Sequence, residues 1–201
     1  MNGWRLTGVV SLVLLAMALA LAAAHGWDAE GIRLVIRATA RTSLVLFVLA
    51  FTASAMVDLV PSGLTRWQRR NRRYLGVSFA ASHFIHLAAI VSLASVDRAL
   101  FWKLTNLPTI VLAGTAYLFI AAMTVTSFDR TAAWLGPRKW RLLHLVGGWY
   151  IWISFAVAIG KRVPQDRFYW PMAALVLAAA AVRLFAMARR GRRRMALSTT
   201  S

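Results

Sequence analysis

The chain has no cysteine, which excludes disulfides, thiolate metal sites, iron–sulfur clusters and a cysteine nucleophile. Acidic residues are nearly as scarce, six in 201, while 60% of the residues are hydrophobic. That balance cannot maintain the ordinary alternation of buried and solvated faces, so lipid replaces water as the main solvent. No Gly-x-Gly-x-x-Gly fingerprint or P-loop follows a strand anywhere, so any hydride chemistry must come from another polypeptide. Internal repeats and paired interrupted spans, which mark many secondary transporters, are also missing.

What remains is six apolar runs, each near the roughly 20 residues that a spanning helix needs. They cover about Leu6–Ala24, Thr39–Val60, Leu75–Val96, Thr109–Thr126, Leu142–Gly160 and Pro171–Met187. Each is too long for a membrane-barrel strand, and a lipid-exposed backbone must satisfy its own hydrogen bonds. The sequence therefore predicts an all-α integral membrane protein, a six-helix bundle forming one domain over residues 1–201. Pro61, Ser62 and Gly63 close the second run, Pro108 opens the fourth, and Pro164 and Pro171 bracket entry to the sixth. Seven of the nine tryptophans (Trp4, Trp27, Trp67, Trp102, Trp134, Trp140 and Trp170) fall at run ends, where an amphipathic ring suits the headgroup zone. The first run, with Arg5 before it and Ala22, Ala23 and Ala24 at its end, also has features of a signal peptide. It exceeds the roughly 7–15 apolar residues of that signal, and is expected to be an uncleaved anchor.

A net charge of +18 would suggest nucleic-acid binding in a soluble protein, but its distribution argues against that. Arg66, Arg69, Arg70, Arg72 and Arg73 lie in one short connection, and Arg130, Arg138, Lys139 and Arg141 in another on the same side. Arg5 and the basic tail of residues 189–201, with Arg189, Arg190, Arg192, Arg193 and Arg194, join them. The other side receives fewer: Arg33, Arg37, Arg41, Arg98, Lys103, Lys161, Arg162 and Arg167. The positive-inside rule then predicts both termini in the cytoplasm of a bacterial-type inner membrane. The tail is a topology signal, and could also hold anionic headgroups at roughly 1 kcal/mol per charge.

Ionisable groups inside apolar runs are costly and default to functional hypotheses. His83 and His86 lie one turn apart on the third run, and His144 near the start of the fifth. Imidazoles facing across a bundle are what a haem requires, one axial ligand from each side. A neutral histidine can equally hydrogen-bond a carbonyl, or a serine such as Ser82 or Ser154, on a neighbouring helix. Counted at 1.5 Å per residue, His86 lies roughly 16 Å and His83 roughly 12 Å in from Leu75, and His144 roughly 6–9 Å in from the basic turn at residues 138–140. Depth thus pairs His83 with His144. Gly147 and Gly148 would admit a macrocycle or a neighbouring helix, with Trp149 or Trp152 at its edge. Arg37 and Arg41, one turn apart, could pair with haem propionates or snorkel to headgroups. Asp58, near the inner end of the second run, is expected to form a charge pair.

The segment Arg73-Tyr74-Leu75-Gly76-Val77-Ser78-Phe79 with His86 further along, then Thr126-Ser127, Leu135-Gly136 and Trp140-Arg141-Leu142-Leu143-His144, resembles the ferric-reductase-like transmembrane family. The likeness covers about residues 37–160. In size, and in having no flavin domain, the chain resembles that family's haem-binding membrane subunit of the periplasmic methionine sulfoxide reductase system. The resemblance implies haem ligands at His86 and His144, and so disagrees with the depth count by one helical turn. It also implies a further ligand thirteen residues after His144, where this chain has Val157.

The expectation is a b-type haem subunit, with one haem where relatives bind two or with none. It would pass electrons from an inner donor, a flavin reductase or quinol, to an outer acceptor or partner oxidoreductase. The alternative is a haem-free membrane scaffold or small-solute transport protein of the same fold.

Overall fold

A computed structural model describes the backbone of residues 1–198 and the side chains of residues 1–192. Arg193 and Arg194 of the basic tail therefore lie outside the described side chains. The elements are α1 (Trp4–His25), α2 (Ala29–Leu59), α3 (Gly63–Val96), α4 (Arg98–Leu104), α5 (Leu107–Val125), α6 (Asp129–Leu135), α7 (Pro137–Gly160) and α8 (Trp170–Ser198). A short 3-10 turn, Arg167–Tyr169, leads into α8. Six of the helices, all but α4 and α6, are long and apolar enough to cross a membrane. The chain is an all-helical, multi-pass membrane protein.

Two helices begin well before their apolar runs. α2 starts ten residues ahead of Thr39 because Asp28 accepts a hydrogen bond from the Gly31 N–H at 2.9 Å. α3 starts twelve residues ahead of Leu75, where Ser62 and Thr65 form a reciprocal capping box. At 34 residues α3 is about 51 Å long and overshoots a hydrocarbon core of about 30 Å. Its first three turns therefore carry arginines outside that core. The short helices α4 and α6 are amphipathic links that the apolar-run count does not register. Asp97 caps α4 through Leu100, and Gly136, at φ 78°, ends α6 and turns the chain into α7. Only a residue free of the Cβ penalty enters that left-handed region cheaply, which accounts for the Leu135-Gly136 pair.

Large apolar side chains face outward, including Leu12, Val13, Leu19, Val91, Val111, Leu118, Leu177 and Phe185. This apolar belt is the expected surface of a protein solvated by lipid. Inside, α3 packs mainly on α2 and α1. Their interface holds a polar ladder in which Ser82 Oγ meets Ser43 Oγ at 2.9 Å and Thr42 Oγ1 at 3.0 Å. Hydrogen-bonding small polar side chains let two backbones approach without leaving unmet donors.

Lower on α3, Gln68 donates to the Leu49 carbonyl at 2.8 Å, and Asn71 accepts from the Gly3 N–H at 3.0 Å. α1 is thereby fixed to α3. α7 packs on α5 and α8. Gly147 permits the first of these contacts: a Cβ there would stand 2.6 Å from Met123 Sδ and 3.1 Å from Phe119 Cδ1.

The N-terminus, the α2–α3 turn, α6 and the end of α8 share one end of the bundle. Trp67 Nε1 reaches the Met1 carbonyl at 3.1 Å, Arg73 pairs with Asp129 at 2.7 Å, and Arg190 pairs with Asp58. Asp58 thus forms the expected charge pair, with a partner on α8 rather than in the neighbouring basic turn. Lys161 and Thr109 approach one another at the opposite end.

Candidate functional site

Between α3 and α7, with α2, α5, α6 and α8 completing the wall, lies a cavity of about 820 Å³ open toward the arginine-rich end. Cofactor and ligand pockets span roughly 300–1,000 Å³. Its inner end is aromatic and aliphatic: Phe47, Phe51, Phe79, Ile120 and Ile151 line it and belong to one buried cluster. Five arginines, Arg72, Arg73, Arg141, Arg183 and Arg190, also line it.

Of the three sequence-predicted histidines, His144 alone lines the cavity. Trp140, one turn earlier on α7, stacks on its ring with centroids 4.1 Å apart. The indole Nε1 donates to the Thr126 carbonyl at 2.9 Å, and the Thr126 hydroxyl stands 3.4 Å from His144 Nε2. Trp140 is thus tied into the protein and orients an imidazole; it is not a headgroup-facing belt residue like Trp27 and Trp134, which are exposed.

His83 and His86 sit beyond the cavity's inner end. Phe47, Phe79 and Phe155 pack against one another with centroids 5.4–6.2 Å apart, and His83 lies on the far side of this aromatic septum. There it contacts Phe79 at 5.2 Å, Tyr117 at 4.9 Å and Phe155 at 5.7 Å between centroids. Its Nδ1 is buried with no hydrogen-bond partner among the described residues. The His86 ring stacks on His83 at 5.2 Å and its Nδ1 lies 3.0 Å from the Ile36 carbonyl and 3.1 Å from Thr39 Oγ1.

A carbonyl can only accept, so His86 Nδ1 carries the proton and Nε2 keeps its lone pair. That is the tautomer of a metal-ligating histidine whose far nitrogen is held by the backbone. The expected interhelical histidine bond exists, with Ile36 and Thr39 as partners rather than Ser82 or Ser154. Ser154 bonds back to the Tyr150 carbonyl on its own helix.

His83 does not face His144. It meets Phe155, eleven residues further along α7, which is about 16 Å of helix rise. Val157, where the family pattern has a second α7 ligand, is 37% exposed on the outer surface. Arg37 lies on the far half of α2, nine or more residues from the cavity-lining stretch that begins at Phe47, and is 3.9 Å from Glu30. Arg41 is one turn further along the same segment. Neither lines the cavity.

The cavity therefore offers one imidazole and not two. Opposite His144 the α3 wall presents Arg72, Arg73, Gly76, Phe79 and Ala80, and a Cβ at Gly76 would meet nothing within 4 Å. A haem with a single imidazole ligand fits this donor set, whereas a bis-imidazole haem does not. Among the described residues no group of three or more His, Asp or Glu side chains is placed to hold a bare metal ion.

The contribution of α8 was not visible in the sequence. Arg183 sits 13 residues into that helix, with its guanidinium 4.0 Å over the Phe51 ring and 5.2 Å from that of Trp149. A lone arginine inside an apolar run was the available signal. Gly148 lies beside it, and a Cβ there would meet Arg183 Nη1 at 3.8 Å and the Phe51 ring at 3.7 Å, ordinary van der Waals contact.

No protein-family profile, curated protein or solved structure matches this chain.

Proposed function

We propose that the protein is a b-type haem membrane subunit that carries electrons within the bilayer, with the haem held in the α3–α7 cavity by His144. The observation that carries this reading is the cavity: one oriented imidazole in an aromatic, arginine-rimmed space of cofactor size. The motif resemblance to the ferric-reductase-like transmembrane family, read from the sequence, supports it independently.

Haem, when bound, supplies one-electron redox chemistry. The chain's part is to fix a ligand, set polarity and control access. Trp140 and Thr126 hold the His144 ring. Phe47, Phe79 and Phe155 close the inner end of the site against water. The arginines at the mouth favour acidic groups there.

The basic end is placed in the cytoplasm of a bacterial inner membrane, on the charge asymmetry of the loops. The cavity then opens toward an inner-side donor, a flavin reductase or quinol. An acceptor or partner oxidoreductase belongs on the opposite face, near the stacked His83 and His86.

A second reading, a haem-free scaffold or solute-binding membrane protein of the same fold, is favoured by one observation: no imidazole stands across the cavity from His144. A reduced-minus-oxidised visible spectrum of the purified protein after haem supplementation separates the two. A b-type difference band supports electron transfer, and its complete absence supports the haem-free protein.

A further inference from the structure

The five cavity arginines divide into two sets. Arg73 is paired with Asp129 at 2.7 Å, and Arg190 donates through both Nε and Nη2 to Asp58 Oδ2. Arg72, Arg141 and Arg183 have no carboxylate partner among the described residues. Arg141 is exposed at the mouth. Arg72 donates to Ser54 Oγ at 2.9 Å and lies 6.0 Å from the centroid of the Trp140 ring.

Arg183 is the deepest of the α8 pair, seven residues and about 10 Å of helix rise from Arg190. A guanidinium at that depth ordinarily snorkels to the nearest headgroups. Arg183 instead lines the cavity, held over Phe51 and Trp149. Cation–π contacts orient a guanidinium but do not cancel its charge. An inward, uncancelled cation in a space lined by aromatics is complementary to a ligand with an apolar body and an acidic group.

We infer that Arg183 and Arg72 form an acid-recognition subsite of the cavity, taking the carboxylate or phosphate of an amphipathic ligand whose apolar body rests against Phe47, Phe51 and Phe79. The inference rests on the haem reading only for the source of the acid, a haem propionate; an anionic phospholipid headgroup offers the same chemistry. The carboxylates at Asp58 and Asp129 are already committed to Arg190 and Arg73, so they do not compete for this pair.

The test uses the full chain purified in detergent, with Arg183→Gln, Arg72→Gln and the charge-retaining Arg183→Lys. Hemin affinity is read by absorbance titration, and retained phosphatidylglycerol by native mass spectrometry. Loss of a charge-assisted pair lowers affinity by about tenfold to hundredfold, so both glutamine variants are expected to weaken hemin by that factor, with Arg183→Lys closer to wild type.

If wild type takes no hemin but retains phosphatidylglycerol that Arg183→Gln releases, the subsite stands, its acid is a lipid's and the haem reading fails. If Arg183→Gln and Arg72→Gln bind hemin and lipid as wild type does, the subsite is overturned and the haem reading survives. Wild type that binds neither overturns both. Should Arg183→Gln fail to fold by size exclusion, Arg72→Gln carries the same comparison.

Discussion

His83 packs against Phe155, with ring centroids 5.7 Å apart, and this contact sets the register of α3 against α7. It places the two α3 histidines on one side of an aromatic septum and His144 on the other. Two of the three imidazoles therefore share an environment that the third does not.

The lack of cysteine makes the orientation directly testable, because every introduced thiol is unique. Lys139→Cys, beside the α6–α7 junction, is expected to resist a membrane-impermeant maleimide in intact cells. Lys103→Cys, at the end of α4, is expected to react. The reverse pattern would place the arginine-rich end outside.

Gly147 is predicted to be intolerant of any side chain. Alanine there would sit against Met123 Sδ and Phe119, and overpacking of this kind costs about 1–3 kcal/mol. Thermal unfolding in detergent should show the loss, and Met123→Ala in the same chain should recover most of it, since the two sites touch.

Ser82 joins Thr42 and Ser43 across the α2–α3 interface. Ser82→Val would strand the Ser43 hydroxyl in the apolar interior, while Thr42 keeps its bonds to the Ala38 and Thr39 carbonyls, and interhelical bonds of this type are worth about 0.6–2 kcal/mol in membranes. Unfolding in mixed micelles should register a decrease of that size. An unchanged midpoint would mean that the ladder carries no net stability.

Asp58 and Arg190 are both partly exposed, at 32% and 50% of their side-chain surface. Pairs of that kind contribute about 0–1 kcal/mol, so Asp58→Asn should leave the unfolding midpoint almost unchanged. The same substitution frees a further arginine at the cavity mouth, and hemin affinity is expected to rise rather than fall.

The number of spans and the proline-marked breaks between them were legible from the sequence because run length and proline placement are local properties. The helix starts at Ala29 and Gly63 were not read, since capping by Asp28 and Ser62 extends helices into charged segments that hydropathy discards. The relative depth of α3 and α7 was not legible either. Counting depth along each helix assumes that both spans begin at one level, and the His83–Phe155 contact shows that they do not. Trp140 was read as a belt residue because position along a run says nothing about which face a ring occupies. Arg183 escapes notice for the same reason: only packing over Phe51 and Trp149 distinguishes an inward arginine from one that snorkels.

A single haem on His144 is tested by hemin titration of His144→Ala and His86→Ala against wild type, followed by their reduced-minus-oxidised spectra. Wild type is expected to hold about one haem per chain, His86→Ala to retain that haem, and His144→Ala to lose the b-type band. A band that survives His144→Ala but disappears in His86→Ala would contradict it and move the iron to the far side of the septum.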